Sequence, residues 1–140
     1  MAVMEEFLDK KYVLVSSENF EDYLVHIGVG YLSRKAALAL KPTQCLTSNE
    51  DGTYTFEFSS ALVSYKTTFT PGVEFVEEKP DGIKVEALIT IEDNRMIHTQ
   101  REENGRTSKH SREFYKDRMI VTTTADGLNK IVTRRYVLVQ

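Results

Sequence analysis

The C-terminal segment 130–140 alternates like a β-strand and carries side chains that could bind an anion. Successive side chains of a strand point to opposite faces, so Arg134 and Tyr136 share one face among aliphatic residues. An Arg in such a place keeps its charge and needs an acidic partner, a path to solvent or a bound anion. We favour the anion. The alternatives are an ion pair with a buried Glu, or a register shift that turns Arg135 inward.

The segment 107–115 is also strand-like, and neither of its faces is apolar throughout. Ser108, His110 and Arg112 share one face, and charged residues lie on the other. A packed sandwich would show one apolar side, whereas a barrel around a partly hydrated cavity can hold polar residues inside. The pattern therefore favours a barrel with Arg112 and Arg134 both pointing inward.

The composition predicts one soluble globular domain covering 1–140. Hydrophobic residues make up 41% of the chain and charged residues 28%, as in ordinary packed domains. The net charge is −3, with 18 Lys and Arg scattered among 21 Asp and Glu. Because no basic footprint is present, we expect no nucleic-acid partner.

The cellular compartment is predicted from missing targeting signals. No apolar run approaches the roughly 20 residues of a membrane span, and the segment 1–10 lacks the features of a signal peptide. We therefore expect a cytosolic protein, with nuclear entry left open. The single Cys45 has no disulfide partner and no neighbouring base, so we interpret it as a small hydrophobic residue.

Two short helices are predicted after a strand at 12–15. The first has Asn19 as its N-cap and helical spacing of apolar residues over 20–27. The second spans 31–40 and must end before Pro42. Its apolar stripe, expected to pack on the rest of the fold, comprises Leu32, Ala36 and Leu40.

From residue 43 onward, short alternating runs are separated by turn signals such as Pro71-Gly72 and Asp81-Gly82. This spacing is typical of sequential antiparallel hairpins, and the segments amount to nine or ten strands. A meander of this length must curl, and closing it into a barrel would remove its exposed edges.

Several motifs stand in collinear order along the chain. They are Lys10-Lys11-Tyr12-Val13-Leu14, Asn19-Phe20-Glu21-Asp22-Tyr23, Gly28-Val29-Gly30-Tyr31, Lys41-Pro42-Thr43, Pro71-Gly72-Val73-Glu74-Phe75 and the stretch 105–121. Together, from about Phe7 to Val139, they resemble the intracellular lipid-binding proteins, the cytosolic fatty-acid-binding and retinoid-binding family of the calycin superfamily. Each motif alone is weak, but their shared order and spacing are specific.

This resemblance implies a mainly β fold: a ten-stranded antiparallel up-and-down β-barrel, or clam, capped by a helix-turn-helix between the first two strands. It also implies that the ligand carboxylate is held by Arg112, Arg134 and Tyr136. The implication agrees with the strand analysis, because Arg and Tyr side chains both donate hydrogen bonds to a carboxylate. No cofactor is expected.

The resemblance further implies a set of residues that line the cavity and its entrance, which we call the portal. This set comprises Phe20, Tyr23, Leu24, Val29, Leu62, Asp81 and Gln100. Ordinary packing of helices on a barrel rim is the alternative for the apolar members, and turn formation is the alternative for Asp81. The chain departs from the family pattern with Tyr12 for the usual Trp, Leu62 for a common Phe and Ile83 for a common Arg.

An enzyme is not expected. His26, His98 and His110 have no metal-ligand spacing, and no Ser, Cys or carboxylate arrangement predicts a nucleophile. His98 and His110 are expected to contribute polar lining to a cavity. There is also no phosphate-binding or dinucleotide-binding glycine motif.

The function predicted from the resemblance is that of an intracellular carrier of long-chain fatty acids. A retinoic acid or retinoid carrier is the alternative, because the same anion site would serve it. A protein-interaction module with an incidental cavity is the third hypothesis. Arg34 and Lys35 on the second helix are candidates for transient membrane contact, and a solvated helix face is the simpler interpretation of both. We expect a monomer.

Overall fold

Ten antiparallel strands and two helices form the fold, in a computed structural model that describes residues 3–140. A 3-10 helix at Met4–Phe7 precedes them. The strands are β1 (Tyr12–Glu18), β2 (Thr43–Ser48), β3 (Tyr54–Ser59), β4 (Ser64–Phe69), β5 (Phe75–Glu78), β6 (Lys84–Glu92), β7 (Arg95–Arg101), β8 (Thr107–Phe114), β9 (Arg118–Ala125) and β10 (Val132–Leu138). The helices α1 (Phe20–His26) and α2 (Tyr31–Ala39) lie between β1 and β2.

The strands follow one another as hairpins in a single curled sheet. Their order is β4-β3-β2-β1-β10-β9-β8-β7-β6-β5, so only the β1–β10 pair joins the two ends of the chain. The turns match the glycine signals: the backbone N–H of Gly82 donates to the carbonyl of Lys79 at 2.8 Å, with φ of 84° at the glycine. Such a φ is accessible to Gly at little cost. The predicted ten-stranded barrel with a helical cap is confirmed.

The expectation that closure would remove every strand edge is wrong. Within residues 3–140, no hydrogen-bonded ladder joins β4 to β5, which are the two ends of the sheet. The short β5 has only four residues and pairs only with β6. Burial and then the negative charge of Glu77 on β5 raise the pKa of Tyr65 on β4 to about 12.

Two clusters of buried apolar residues stabilise the barrel. In the larger one, the ring of Phe114 lies 6.2 Å from that of Phe7 and 5.6 Å, edge to face, from that of Tyr12. Tyr12 is fully buried and its hydroxyl donates to the carbonyl of Tyr115 at 3.2 Å. Tyr12 therefore fills the core position at which the family usually has Trp. The smaller cluster joins Tyr23 and Leu24 of α1 to β9 and β10.

Two local predictions for the helices are wrong in detail. Asn19 precedes α1 as expected, but its φ is 62° and its side chain donates to the carbonyl of Ile131 at 2.9 Å instead of capping the helix. Leu32 and Ala36 of the predicted stripe on α2 are exposed, and no residue of α2 is buried. The α2 helix lies at the surface of the cap, with Ala37 the apolar residue packed against the smaller cluster.

No helix between residues 3 and 140 has the length and apolar character needed to cross a membrane.

Candidate functional site

A cavity of about 270 Å³ lies between α1 and the inner faces of the strands. Its wall includes all three residues predicted to bind a carboxylate, Arg112 on β8 and Arg134 and Tyr136 on β10. The inward positions of β8 alternate as predicted, because Ser108, Arg112 and Phe114 are buried while Lys109 is exposed. The structure thus brings the three residues together at one cavity.

A buried glutamine links two of these residues. The Nε2 amide of Gln44, on β2, donates to the hydroxyl oxygen of Tyr136 at 2.8 Å, and Nε of Arg112 donates to Oε1 of Gln44 at 2.8 Å. All three side chains are at most 6% exposed. Because the Tyr136 oxygen accepts from Gln44, its own O–H remains available to donate to a ligand.

Arg112 is a buried cation without a carboxylate partner. Its guanidinium carbon lies 4.4 Å from the centre of the Phe56 ring, and in the part of the chain that the structure describes it forms no salt bridge, while Nη1 is buried with no hydrogen-bond partner. Burial lowers the pKa of Arg112, but an Arg side chain stays protonated in proteins. A buried charge with a free donor is suited to an anionic ligand.

Arg134 connects the cavity to the helical cap. Its guanidinium carbon lies 3.7 Å from the centre of the Phe20 ring on α1, and Nε donates to Oγ of Ser17 at 3.1 Å. Burial lowers the pKa of Arg134. Among residues 3–140 it forms no salt bridge, so the hypothesis of an ion pair with a buried Glu is wrong.

The alternative register of β10 is also wrong. Arg134 is opposite Ser17 in the β1–β10 register and lines the cavity. Arg135 is opposite Ser16 and forms a surface salt bridge with Glu18, in which Nη1 and the carboxylate are 3.0 Å apart. The Arg135 side chain is 46% exposed. The two neighbouring arginines therefore lie on opposite faces of the strand, as the period of two requires.

A second polar group runs across β5, β7, β8 and β9, and its members on β7, β8 and β9 line the cavity. Nε2 of His98 is 2.7 Å from Oε1 of Glu77, and Nε2 of Gln100 donates to the same oxygen at 3.0 Å. Nε2 of His110 is 2.9 Å from Oε1 of Gln100, and Nδ1 of His110 is 2.8 Å from the hydroxyl of Thr123. We call these five residues the polar chain.

Burial sets the charge of the two histidines of the polar chain, and hydrogen bonds with nearby charge set that of Glu77. Burial lowers the pKa of His98 despite the nearby Glu77, and burial with the positive Arg112 holds the pKa of His110 well below its ordinary value. Burial alone would raise the pKa of Glu77, but its hydrogen bonds from His98 and Gln100 and the charge of Arg112 hold it below the ordinary value. The histidines are therefore neutral and Glu77 is ionised at neutral pH.

Comparison with known proteins identifies the architecture around this cavity. A model of the lipocalin/cytosolic fatty-acid binding protein family matches residues 10–137. The chain belongs to this family. The fatty acid-binding protein homolog 5 of Caenorhabditis elegans is 38% identical over 136 residues, which cover 94% of each chain.

Solved structures of fatty-acid-binding proteins share the fold closely. One is a brain fatty-acid-binding protein of Drosophila melanogaster, at 35% identity and a TM-score of 0.86, covering 94% of this chain and 98% of the other. Another is the Schistosoma mansoni protein in complex with arachidonic acid, at 26% identity and a TM-score of 0.89, covering 99% and 100%. The barrel and its cap are therefore those of the fatty-acid-binding proteins.

Most positions that the family resemblance assigned to the cavity and portal lie in the cavity wall. These are Phe20, Tyr23, Leu24, Val29, Asp81 and Gln100. Leu62 is not among the lining residues and is 72% exposed in the β3–β4 connection. Asp81 also has the turn role, since Oδ1 accepts from the backbone N–H of Ile83 at 3.0 Å. Ligand contact by these residues stays a prediction.

Sequence analysis missed Gln44, which lines the cavity, and Glu77, which is hydrogen-bonded to the lining residues His98 and Gln100. Each lies two residues from an inward-facing apolar residue of its own strand, Leu46 on β2 or Phe75 on β5. Because residues two apart share a face, this spacing was the signal that could have found them. Cys45, between Gln44 and Leu46, is half-buried, and burial raises the pKa of its thiol. A raised pKa weakens a thiol nucleophile, in agreement with the structural interpretation of Cys45.

Proposed function

We propose that this protein is a carrier that binds a long-chain fatty acid reversibly inside the barrel, with the carboxylate held by Arg112, Arg134 and Tyr136. The observation that carries the proposal is the buried Arg112 beside the Tyr136 hydroxyl. Among residues 3–140, its Nη1 donor has no hydrogen-bond partner and its guanidinium forms no salt bridge. A carboxylate would neutralise this charge and accept hydrogen bonds that gain strength away from bulk water.

The acyl chain would supply most of the binding free energy. Each methylene that leaves water contributes about 0.8 kcal/mol, before the cost of ordering the chain. Phe20, Tyr23 and Leu24 of α1 line the cavity, so we expect α1 to move when a ligand enters. Because the Phe20 ring covers the Arg134 guanidinium, opening the cap would also expose part of the carboxylate site.

The comparisons support a fatty acid as the ligand class. The relative from Caenorhabditis elegans is named a fatty acid-binding protein homolog, and the Schistosoma mansoni structure contains arachidonic acid. Retinoic acid is the alternative ligand because it presents the same carboxylate. A protein-interaction module remains the alternative function if no amphipathic ligand binds.

We also propose a cytosolic monomer that contacts membranes transiently through its cap, with nuclear entry left open. The cytosolic fatty-acid binding proteins are part of the matched family, which supports the compartment, and α2 exposes Tyr31 and Leu32, which supports contact through the cap. The contribution of basic charge to membrane contact is small in this proposal, since Lys35 and Arg34 both lie near Glu21, at 3.1 and 3.7 Å.

The test of this function is calorimetric titration of delipidated protein with oleate, retinoic acid and oleyl alcohol. We expect Arg134→Ala to weaken oleate binding by about 2–5 kcal/mol, because it removes one donor to a desolvated carboxylate. Binding of oleyl alcohol, which has no carboxylate, should change much less.

Arg135→Ala is the matched control, because it removes the neighbouring Arg from the outer face of the same strand. It should leave oleate binding unchanged. Equal oleate affinities of the two variants would contradict the carboxylate site, and tighter binding of retinoic acid than of oleate would favour the retinoid alternative. Absence of binding to any of the three ligands would favour the interaction module.

A further inference from the structure

The polar chain is a directed hydrogen-bond network that lies apart from the arginine site. Gln100 donates through Nε2 to Glu77 and therefore accepts through Oε1 from Nε2–H of His110. Neutral His110 then accepts at Nδ1 from the Thr123 hydroxyl. In this way both nitrogens of His110 and both polar atoms of the Gln100 amide have partners.

His98 differs from His110 because only one of its nitrogens has a partner. The Glu77 carboxylate can only accept, so Nε2 of His98 carries the proton. The ring is neutral, and Nδ1 is therefore an acceptor. His98 is 1% exposed and lines the cavity. Within the described residues, its Nδ1 is buried and has no hydrogen-bond partner.

An unpaired buried acceptor requires a donor, and this requirement defines the chemistry of its ligand. A fatty-acid carboxylate has no hydrogen to donate, and the charge of Glu77 would repel it. Methylene groups of an acyl chain offer no hydrogen bond. A hydroxyl on the acyl chain has the required O–H and adds little volume.

We propose that the cavity prefers fatty acids with a hydroxyl group on the acyl chain over unsubstituted ones, and that this hydroxyl donates to Nδ1 of His98. The inference rests on the proposed function and names its ligand class. Glu77 is a positioning residue, because its carboxylate fixes the His98 tautomer that leaves Nδ1 free.

The strand register places this subsite along the chain of a ligand bound at the arginines. On adjacent strands, Arg112 is opposite Met96 and His110 is opposite His98. His98 is therefore two residues from the level of Arg112, a rise of about 7 Å along the strand. A hydroxyl several methylenes from the carboxylate fits this separation better than a 2-hydroxyl group.

The experiment measures dissociation constants of delipidated protein for stearate and for its 2-, 7- and 12-hydroxy derivatives. We expect at least one derivative, with 7-hydroxystearate the strongest candidate, to bind about 3- to 10-fold more tightly than stearate, as one added neutral hydrogen bond allows. His98→Leu should reverse that preference, because the hydroxyl would be buried without an acceptor.

His26→Leu is the matched control, since His26 is hydrogen-bonded to the carbonyl of Asp126 and does not line this cavity. It should keep the wild-type preference. A second measurement, independent of any variant, is the 15N resonance of His98 Nδ1, which should shift with the preferred hydroxystearate and stay in place with stearate.

Stearate binding without a preference for any hydroxystearate would overturn the inference and leave the proposed function intact; a bound water would then satisfy Nδ1. A preference that survives His98→Leu would also overturn it. If neither stearate nor its derivatives bind, the proposed function fails and the inference fails with it.

Discussion

Replacing Arg112 by Met is expected to weaken oleate binding by about 2–5 kcal/mol while making the ligand-free protein more stable. The affinity falls because a desolvated carboxylate loses its charged partner. The free energy of unfolding should rise by about 1–4 kcal/mol, the gain seen when buried ion pairs are replaced by apolar residues of similar volume. The cation is 6% exposed, and among residues 3–140 its desolvation is offset by one hydrogen bond to Gln44 and by the contact with the Phe56 ring, without a carboxylate partner.

Urea denaturation without ligand and calorimetric titration with oleate would measure the two effects. Arg118→Met is the matched control, because Arg118 also lies 4.4 Å from an aromatic ring, that of Tyr115, but its side chain is 52% exposed. It should change neither quantity by more than about 0.5 kcal/mol, as is usual for surface substitutions. An Arg112→Met protein that binds oleate as wild type would contradict the site.

The second large effect is a loss of stability as the pH falls below about 6.5. The folded-state pKa values of His98 and His110 are lower than the ordinary value, so the unfolded chain binds protons first. Stability from these groups is complete above the unfolded pKa of about 6.5 and decreases below it. Each histidine that stays neutral when folded contributes up to about 1.4 kcal/mol per pH unit in that range.

Urea denaturation at pH 7.5, 6.5 and 5.5 would measure this dependence. His110→Gln should reduce the slope of stability against pH, because glutamine stays neutral throughout the range and only His98 still contributes. Lys109→Gln, which removes a charge at the next and exposed position of β8, should keep the wild-type slope. Wild-type stability that stays constant from pH 7.5 to 5.5 would show that the two histidines titrate alike in the folded and unfolded states.

The barrel was predictable from sequence because its signals are local. Turn residues mark most hairpins, and a period of two decides which face of β10 carries Arg134 and Tyr136 and which carries Arg135. The same rule placed Arg112 and His110 on the inner face of β8. Once a strand has one buried face, a single alternating pattern determines the direction of each side chain.

The networks of the cavity could not be predicted because they depend on the curl of the sheet. Gln44 on β2 meets Arg112 on β8, although β1, β10 and β9 lie between these strands in the sheet. The contact therefore crosses the barrel interior. The error on α2 had a similar origin, since helical spacing indicates an apolar stripe but not whether a neighbouring element covers it.

A crystal structure of the delipidated protein with bound oleate would show the carboxylate site itself. We expect the carboxylate beside Tyr136, Arg112 and Arg134, with oxygen atoms about 2.7–2.9 Å from the Tyr136 hydroxyl or from a guanidinium nitrogen, or linked to them through one water. The acyl chain should contact Phe20 and Leu24. A carboxylate in solvent at the portal, with Arg112 and Tyr136 hydrogen-bonded only to Gln44, would rule out the proposed site.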